Sequence, residues 1–154
     1  MLVNGADGGS GIASVEIYAL GSDSGGSAVE FLNISTRGYV GTGDDVLIGG
    51  TILNGSKGQK LVVRAIGPDL GAAGVSNSLQ DPTLELRDSD GNLLASNDNW
   101  RSDQEQEIIA TGLAPQNDND AAILTVLFPR AYTAIVRGKN QTSGLAMVEI
   151  YKLD

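Results

Sequence analysis

Apolar and polar residues alternate with period two through most of this chain, the pattern of strands with one buried side. In the C-terminal stretch Leu145-Ala146-Met147-Val148-Glu149-Ile150-Tyr151-Lys152-Leu153, Ala146, Val148 and Ile150 fall on one face and Glu149 and Tyr151 on the other. A near copy stands at the opposite end, Ile12-Ala13-Ser14-Val15-Glu16-Ile17-Tyr18-Ala19-Leu20, with Ala13, Val15 and Ile17 set against Glu16 and Tyr18. Aligned at a constant offset of 133 residues, stretches 2–20 and 135–153 are identical at ten of nineteen positions. Self-similarity of this kind marks an internal repeat. The chain divides accordingly into residues 1–20, a second copy of the closing hairpin; residues 21–28, a Gly/Ser-rich linker; and residues 29–154, the domain itself.

Further alternating runs predict strands over 29–40, 45–53, 59–66, 83–88, 93–96, 121–128, 131–137 and 145–153. Asn54-Gly55 between the second and third is a hairpin signal, and Asp88-Ser89-Asp90-Gly91-Asn92 turns the fourth back into the fifth. One helix is predicted after Ser102, with Ser102 and Glu105 as its capping box and Gly112 as its stop. Gly67 to Gly74 reads as a loop with at most a helical turn, and Trp100 as a plug at one end of the fold. Eight or so short strands with Gly, Asn and Asp turns and at most one short helix specify an all-β fold, a β-sandwich of jelly-roll type.

Composition narrows the function. The 154 residues carry a net charge of −9, which argues against nucleic-acid phosphates and anionic membrane surfaces as partners. No apolar run reaches the length of a membrane span, so membrane insertion is not expected. Met1-Leu2-Val3-Asn4-Gly5 lacks the basic start and apolar core of a signal peptide. Cysteine and histidine are absent, which removes Ser-His-Asp and Cys-His nucleophiles and Cys/His zinc sites. No catalytic residues are assigned, and an enzyme is not expected.

Asp88, Asp90 and Asn92 have the spacing of an oxygen-rich calcium loop, to which Asn97, Asp98 and Asn99 could add ligands; Asp118-Asn119-Asp120 is a weaker candidate. The competing view gives the Asp-Gly-Asn residues to turn geometry alone. Gly41-Thr42-Gly43-Asp44-Asp45-Val46-Leu47-Ile48-Gly49-Gly50 resembles one unit of the calcium-binding nonapeptide repeat, but residues 51 onward do not continue it and read better as a plain strand. Asp23-Ser24-Gly25 matches the aspartic-protease triplet by letter only.

These residues carry two family resemblances. Leu84 to Asp98 with Pro129 to Val136 resembles bacterial pre-peptidase C-terminal domains, which implies a jelly-roll sandwich carried by secreted enzymes and sometimes associated with calcium. Asn33-Ile34-Ser35-Thr36-Arg37-Gly38, Gly41-Thr42-Gly43-Asp44, Val46-Leu47-Ile48-Gly49-Gly50, Arg64-Ala65-Ile66-Gly67-Pro68, Asp81 to Leu86 and Ala134 to Gly138 resemble a repeat domain of large secreted bacterial surface proteins. That likeness implies an extracellular, non-enzymatic module that stands in series with its own copies.

The expected function is that of a structural subunit of an extracellular filament or surface assembly. It polymerises head to tail by donating an assembly strand with Ile12, Ala13, Val15, Ile17 and Tyr18, the counterpart of the closing strand with Ala146, Val148, Ile150 and Tyr151. Its partner is then another copy of itself, with no cofactor required. The alternative is a calcium-dependent module for polysaccharide or matrix protein, with Asp88, Asp90, Asn92 and Asp98 as ligands.

Overall fold

A computed structural model describes residues 3, 5–9, 11–18 and 32–153. The chain divides into two units, 1–31 and 32–154. The larger holds eight strands: β1 (Asn33–Val40), β2 (Leu47–Ile52), β3 (Gln59–Ile66), β4 (Pro82–Asp88), β5 (Leu93–Asn97), β6 (Ala121–Leu127), β7 (Ala131–Gly138) and β8 (Gly144–Leu153). Two short helices, α1 (Pro68–Ala72) and α2 (Glu105–Ala110), complete it. No helix of the described residues is long and apolar enough to cross a membrane.

Sheet A has the order β1-β8-β3-β6 and sheet B the order β2-β7-β4-β5, all neighbours antiparallel. This is the strand order of a jelly roll. Period-two side chains from both inner faces make the core, among them Val40, Leu61, Val63, Leu84, Leu86, Ile123, Val136, Val148 and Ile150.

Most connections cross from one sheet to the other. Asn54 to Gly58 therefore joins β2 of sheet B to β3 of sheet A and is no hairpin, despite its Asn-Gly signal. Residues 135–153 are likewise an arch, because β7 and β8 lie in different sheets. The β4–β5 turn alone joins ladder neighbours.

The outer face of sheet A is covered too. Residues between β5 and β6 cross it and bury Trp100 and Ile108 against Val62, Ala122 and Leu124. Trp100, 1 % exposed, is thus the centre of a second apolar cluster rather than an end plug. Its Nε1 donates to the Asn117 carbonyl at 3.1 Å, and its backbone N–H to that of Asp120 at 2.9 Å. The expected capping box at Ser102 does not form, because Ser102 Oγ donates to the Asn99 carbonyl and α2 begins after Gln104. Gly112, at φ +73°, does follow the end of α2.

Replacing Trp100 with Ala empties the centre of the outer cluster, and its expected cost is about 3–5 kcal/mol of unfolding free energy. Urea denaturation measures it; a loss below about 1 kcal/mol would mean the cluster contributes little.

Candidate assembly site

β8 lies between β1 and β3, paired on both edges. Its inner face, Ala146, Val148 and Ile150, is buried in the core. Its outer face, expected to meet solvent, is not free: Glu149 is only 5 % exposed and stands directly opposite Arg64 of β3. Arg64 Nε donates to Glu149 Oε2 at 2.9 Å, Nη2 pairs with the same oxygen, and Nη1 donates to the Leu113 carbonyl at 2.7 Å. Tyr151 Oη donates to Glu149 Oε1 at 2.9 Å, and the guanidinium lies 5.0 Å from the Tyr151 ring centre. Burial, followed by the Glu149 hydrogen bond, pushes the Tyr151 phenol up.

The N-terminal copy repeats the turn before this strand in conformation, although residues 6–9 and 139–142 share no identical position. Ala6–Gly8 and Lys139–Gln141 are both one-turn 3₁₀ segments at the repeat offset, with Asp7 at φ 53°, ψ 30° and Asn140 at φ 54°, ψ 34°. Each closes with a backbone hydrogen bond, Gly9 to Ala6 and Thr142 to Lys139. Gly5 and Gly138 open the two turns, and a Cβ on either would strike the carbonyl oxygen four residues on, at 1.8 and 1.9 Å.

Beyond the turn the copies differ. Residues 11–18 have no regular secondary structure, and Ile12, Ala13, Val15, Ile17 and Tyr18 are all exposed, Val15 by 49 % and Ile17 by 64 %. Tyr18 Oη still donates to Glu16 Oε2 at 2.9 Å, as Tyr151 does to Glu149. The buried positions of β8 are Gly144, Ala146, Val148, Glu149 and Ile150, and all five are kept in the copy as Gly11, Ala13, Val15, Glu16 and Ile17. The linker at 21–28, with Asp23-Ser24-Gly25, lies outside the described residues.

The four residues expected to hold calcium do not converge. Asp88, Asp90 and Asn92 sit at the β4–β5 turn, where Asp88 Oδ1 accepts the backbone N–H groups of Asp90 and Asn92, each at 2.9 Å. Asp88 Oδ2 accepts the Asn92 side-chain amide, and Arg130 pairs with both Asp88 and Asp90. The Asn92 amide first, and Arg130 among the lesser causes, hold the Asp88 carboxyl below its usual range. Asp98 lies at the far end of β5, paired with Lys139 at 2.8 Å. Among the described residues no group of three or more acidic side chains could hold a metal ion.

Sequence reading missed a pair of neighbouring carboxyls, Asp120 buried and Asp69 half-buried. Asp120, fully buried, accepts the Gly67 N–H at 2.7 Å through Oδ1, while Oδ2 has no hydrogen-bond partner. Asp69 accepts the N–H groups of Gln116 and Asn117 at 2.8 and 3.0 Å, tying α1 to the same loop. Burial, assisted by the neighbouring Asp69, pushes Asp120 up to about 7. Together Asp120 and Asp69 clasp α1 to the loop before β6 through backbone N–H groups. In sequence Asp120 reads only as part of the weaker calcium candidate Asp118-Asn119-Asp120, and nothing there pairs it with Asp69.

No protein-family model matches the chain, and no curated protein matches it. Among solved structures it is similar to the pre-peptidase C-terminal domain of a collagenase from Bacillus anthracis, at 14% identity and a TM-score of 0.45, over 77% of this chain and 89% of that one. The jelly-roll assignment rests on the order of strands in the two sheets.

Two measurements check this geometry. Replacing Glu149 with Ala strands Arg64 and is expected to cost about 3–5 kcal/mol in chemical denaturation, whereas the same change at exposed Glu16 leaves unfolding within about 0.5 kcal/mol. Asp120 keeps its proton in the folded state up to about 7, whereas an unfolded aspartate loses it near pH 4, so stability falls as pH rises through that window. The melting temperature is therefore expected to be higher at about pH 5 than at about pH 8, and Asp120→Asn to shrink the gap; an unchanged gap would place the titration elsewhere.

Proposed function

We propose that this chain is a non-enzymatic structural subunit of an extracellular bacterial filament or surface assembly, joined head to tail by donation of residues 12–18 to a neighbouring copy. The observation that carries it is the pairing of a filled position with a surplus strand. β8 occupies the place between β1 and β3, while a copy matched at each of its buried positions stands exposed in the same chain.

This arrangement favours one route of donation. If the copy entered a neighbour's β8 position, each strand seated would free one β8, and the number of paired strands would not change. Only addition to an open sheet edge gains backbone hydrogen bonds. Donor and acceptor surfaces then differ, so the contact is heterologous and propagates as a filament. The extracellular setting is supported by the motif resemblance to secreted surface repeats. The absence of histidine and cysteine, and the burial of Asp120, support a non-catalytic role.

Electron microscopy of the purified protein tests this. The wild type is expected to form filaments, and Val15→Asp to remain folded by circular dichroism yet form none. Filaments that survive Val15→Asp, or a wild type that stays monomeric at every concentration, would refute it.

A further inference from the structure

The structure assigns the acceptor for that strand: the outer edge of β1 in a second copy of the chain, in the register that sets Glu16 opposite Arg37. This assignment rests on the strand donation proposed for residues 12–18.

Sheet A has two outer strands, β6 and β1. The β6 edge is capped over Ala122 and Leu124. Gln104 folds its side-chain amide against it, donating to the Leu124 carbonyl at 2.9 Å and accepting the Leu124 N–H at 3.1 Å, and Asn97 accepts the Ala122 N–H at 3.1 Å. Side-chain amides thus stand in for a further strand and block addition there.

The β1 edge has no such cover among the described residues. Lys152 N–H bonds to the Leu32 carbonyl at 2.9 Å, one step beyond the pair Asn33↔Tyr151. Antiparallel residues alternate between facing the partner strand and facing away, so the backbone groups of Asn33, Ser35, Arg37 and Tyr39 point outward, away from β8. Arg37 is exposed and forms no ion pair among the described residues.

The side chains select the occupant. On β3, the triplet Val63-Arg64-Ala65 faces Ile150, Glu149 and Val148 of β8: a β-branched residue opposite Ile, Arg opposite Glu, and a small residue opposite Val. β1 carries a triplet of the same kind, Thr36-Arg37-Gly38. An antiparallel strand with Ile17 opposite Thr36, Glu16 opposite Arg37 and Val15 opposite Gly38 reproduces that match. Arg37 then occupies the outward-facing class of position, as its hydrogen bonds to an added strand require. Ala13, Val15 and Ile17 lie on the core side of sheet A, as Ala146, Val148 and Ile150 do, and Glu16 gains the cation that Glu149 finds in Arg64. Neither outer strand of sheet B, β2 (Leu47–Ile52) or β5 (Leu93–Asn97), contains a cationic residue. The donor is taken from a second molecule, as in the head-to-tail donation proposed above; residues 11–18 carry no strand in the described structure.

The test uses the full chain. Arg37→Glu and Glu16→Arg, both at exposed positions, are each expected to abolish sedimentable polymer, and the double variant to restore it. Since the chain has no cysteine, Ile17→Cys combined with Thr36→Cys is expected to give a disulfide-linked ladder of multimers on oxidation. Ile17→Cys with Ser35→Cys, whose side chains project from opposite faces, gives none. Polymers lost in Val15→Asp but kept in Arg37→Glu, without the ladder, would overturn the β1 edge and leave donation standing. Polymers that survive Val15→Asp would overturn both. A disulfide confined to single chains would overturn the second-molecule donor in favour of fold-back.

Discussion

The Arg64–Glu149 pair fixes how this sandwich is closed. β8 is the last strand in the chain and an interior strand of its sheet, so its register decides whether β1 joins sheet A at all. Apolar alternation specifies which face of β8 turns inward, because slipping by one residue would invert every side chain. It leaves slips of two residues less well specified. A buried carboxylate with one guanidinium directly opposite removes those, since any other register would bury an uncompensated charge. Tyr151 and the Leu113 carbonyl complete the coordination of the pair.

Burial on both faces of sheet A comes from the long connection between β5 and β6. Trp100 and Ile108 seal the outer face over β3 and β6, and Gln104 on the same connection caps the β6 edge. Asp120 and Asp69 anchor that connection to α1 through backbone N–H groups. One segment thus covers a face and closes an edge of the sheet. It does so on one side of the sandwich, while among the described residues nothing covers the outer edge of β1, so the two ends of sheet A are chemically unlike. A subunit that accepted strands on both edges would branch; under the proposed donation, the amides over β6 would leave addition to β1.

The repeat at the chain's two ends separates local from tertiary causes of structure. Both copies form the same 3₁₀ turn, with a left-handed residue at the equivalent position, Asp7 or Asn140, and an equivalent glycine packed against a carbonyl, because those interactions lie within five residues. Only the C-terminal copy becomes a strand, because a strand's hydrogen bonds come from its neighbours and β8 has two. Glu16 and Tyr18 keep the hydrogen bond of Glu149 and Tyr151, which is also local, but without an arginine opposite.

Sequence alone determined that there are eight strands, nearly where each begins and ends, which faces are apolar, and that the closing strand is duplicated. All of these come from period-two patterning and turn residues, which act over a few positions. Tertiary structure decided which strands pair: that Asn54-Gly55 bridges two sheets, that residues 135–153 are an arch, that Glu149 is buried against Arg64, and that Trp100 of the crossing segment is sealed against sheet A. It also decided that Asp88 and Asp98 lie at opposite ends of the β4–β5 hairpin, and that one edge of sheet A is capped while the other has no cover among the described residues. Each of these depends on residues far apart in the chain meeting in space, and period-two alternation is the same whichever neighbour a strand adopts.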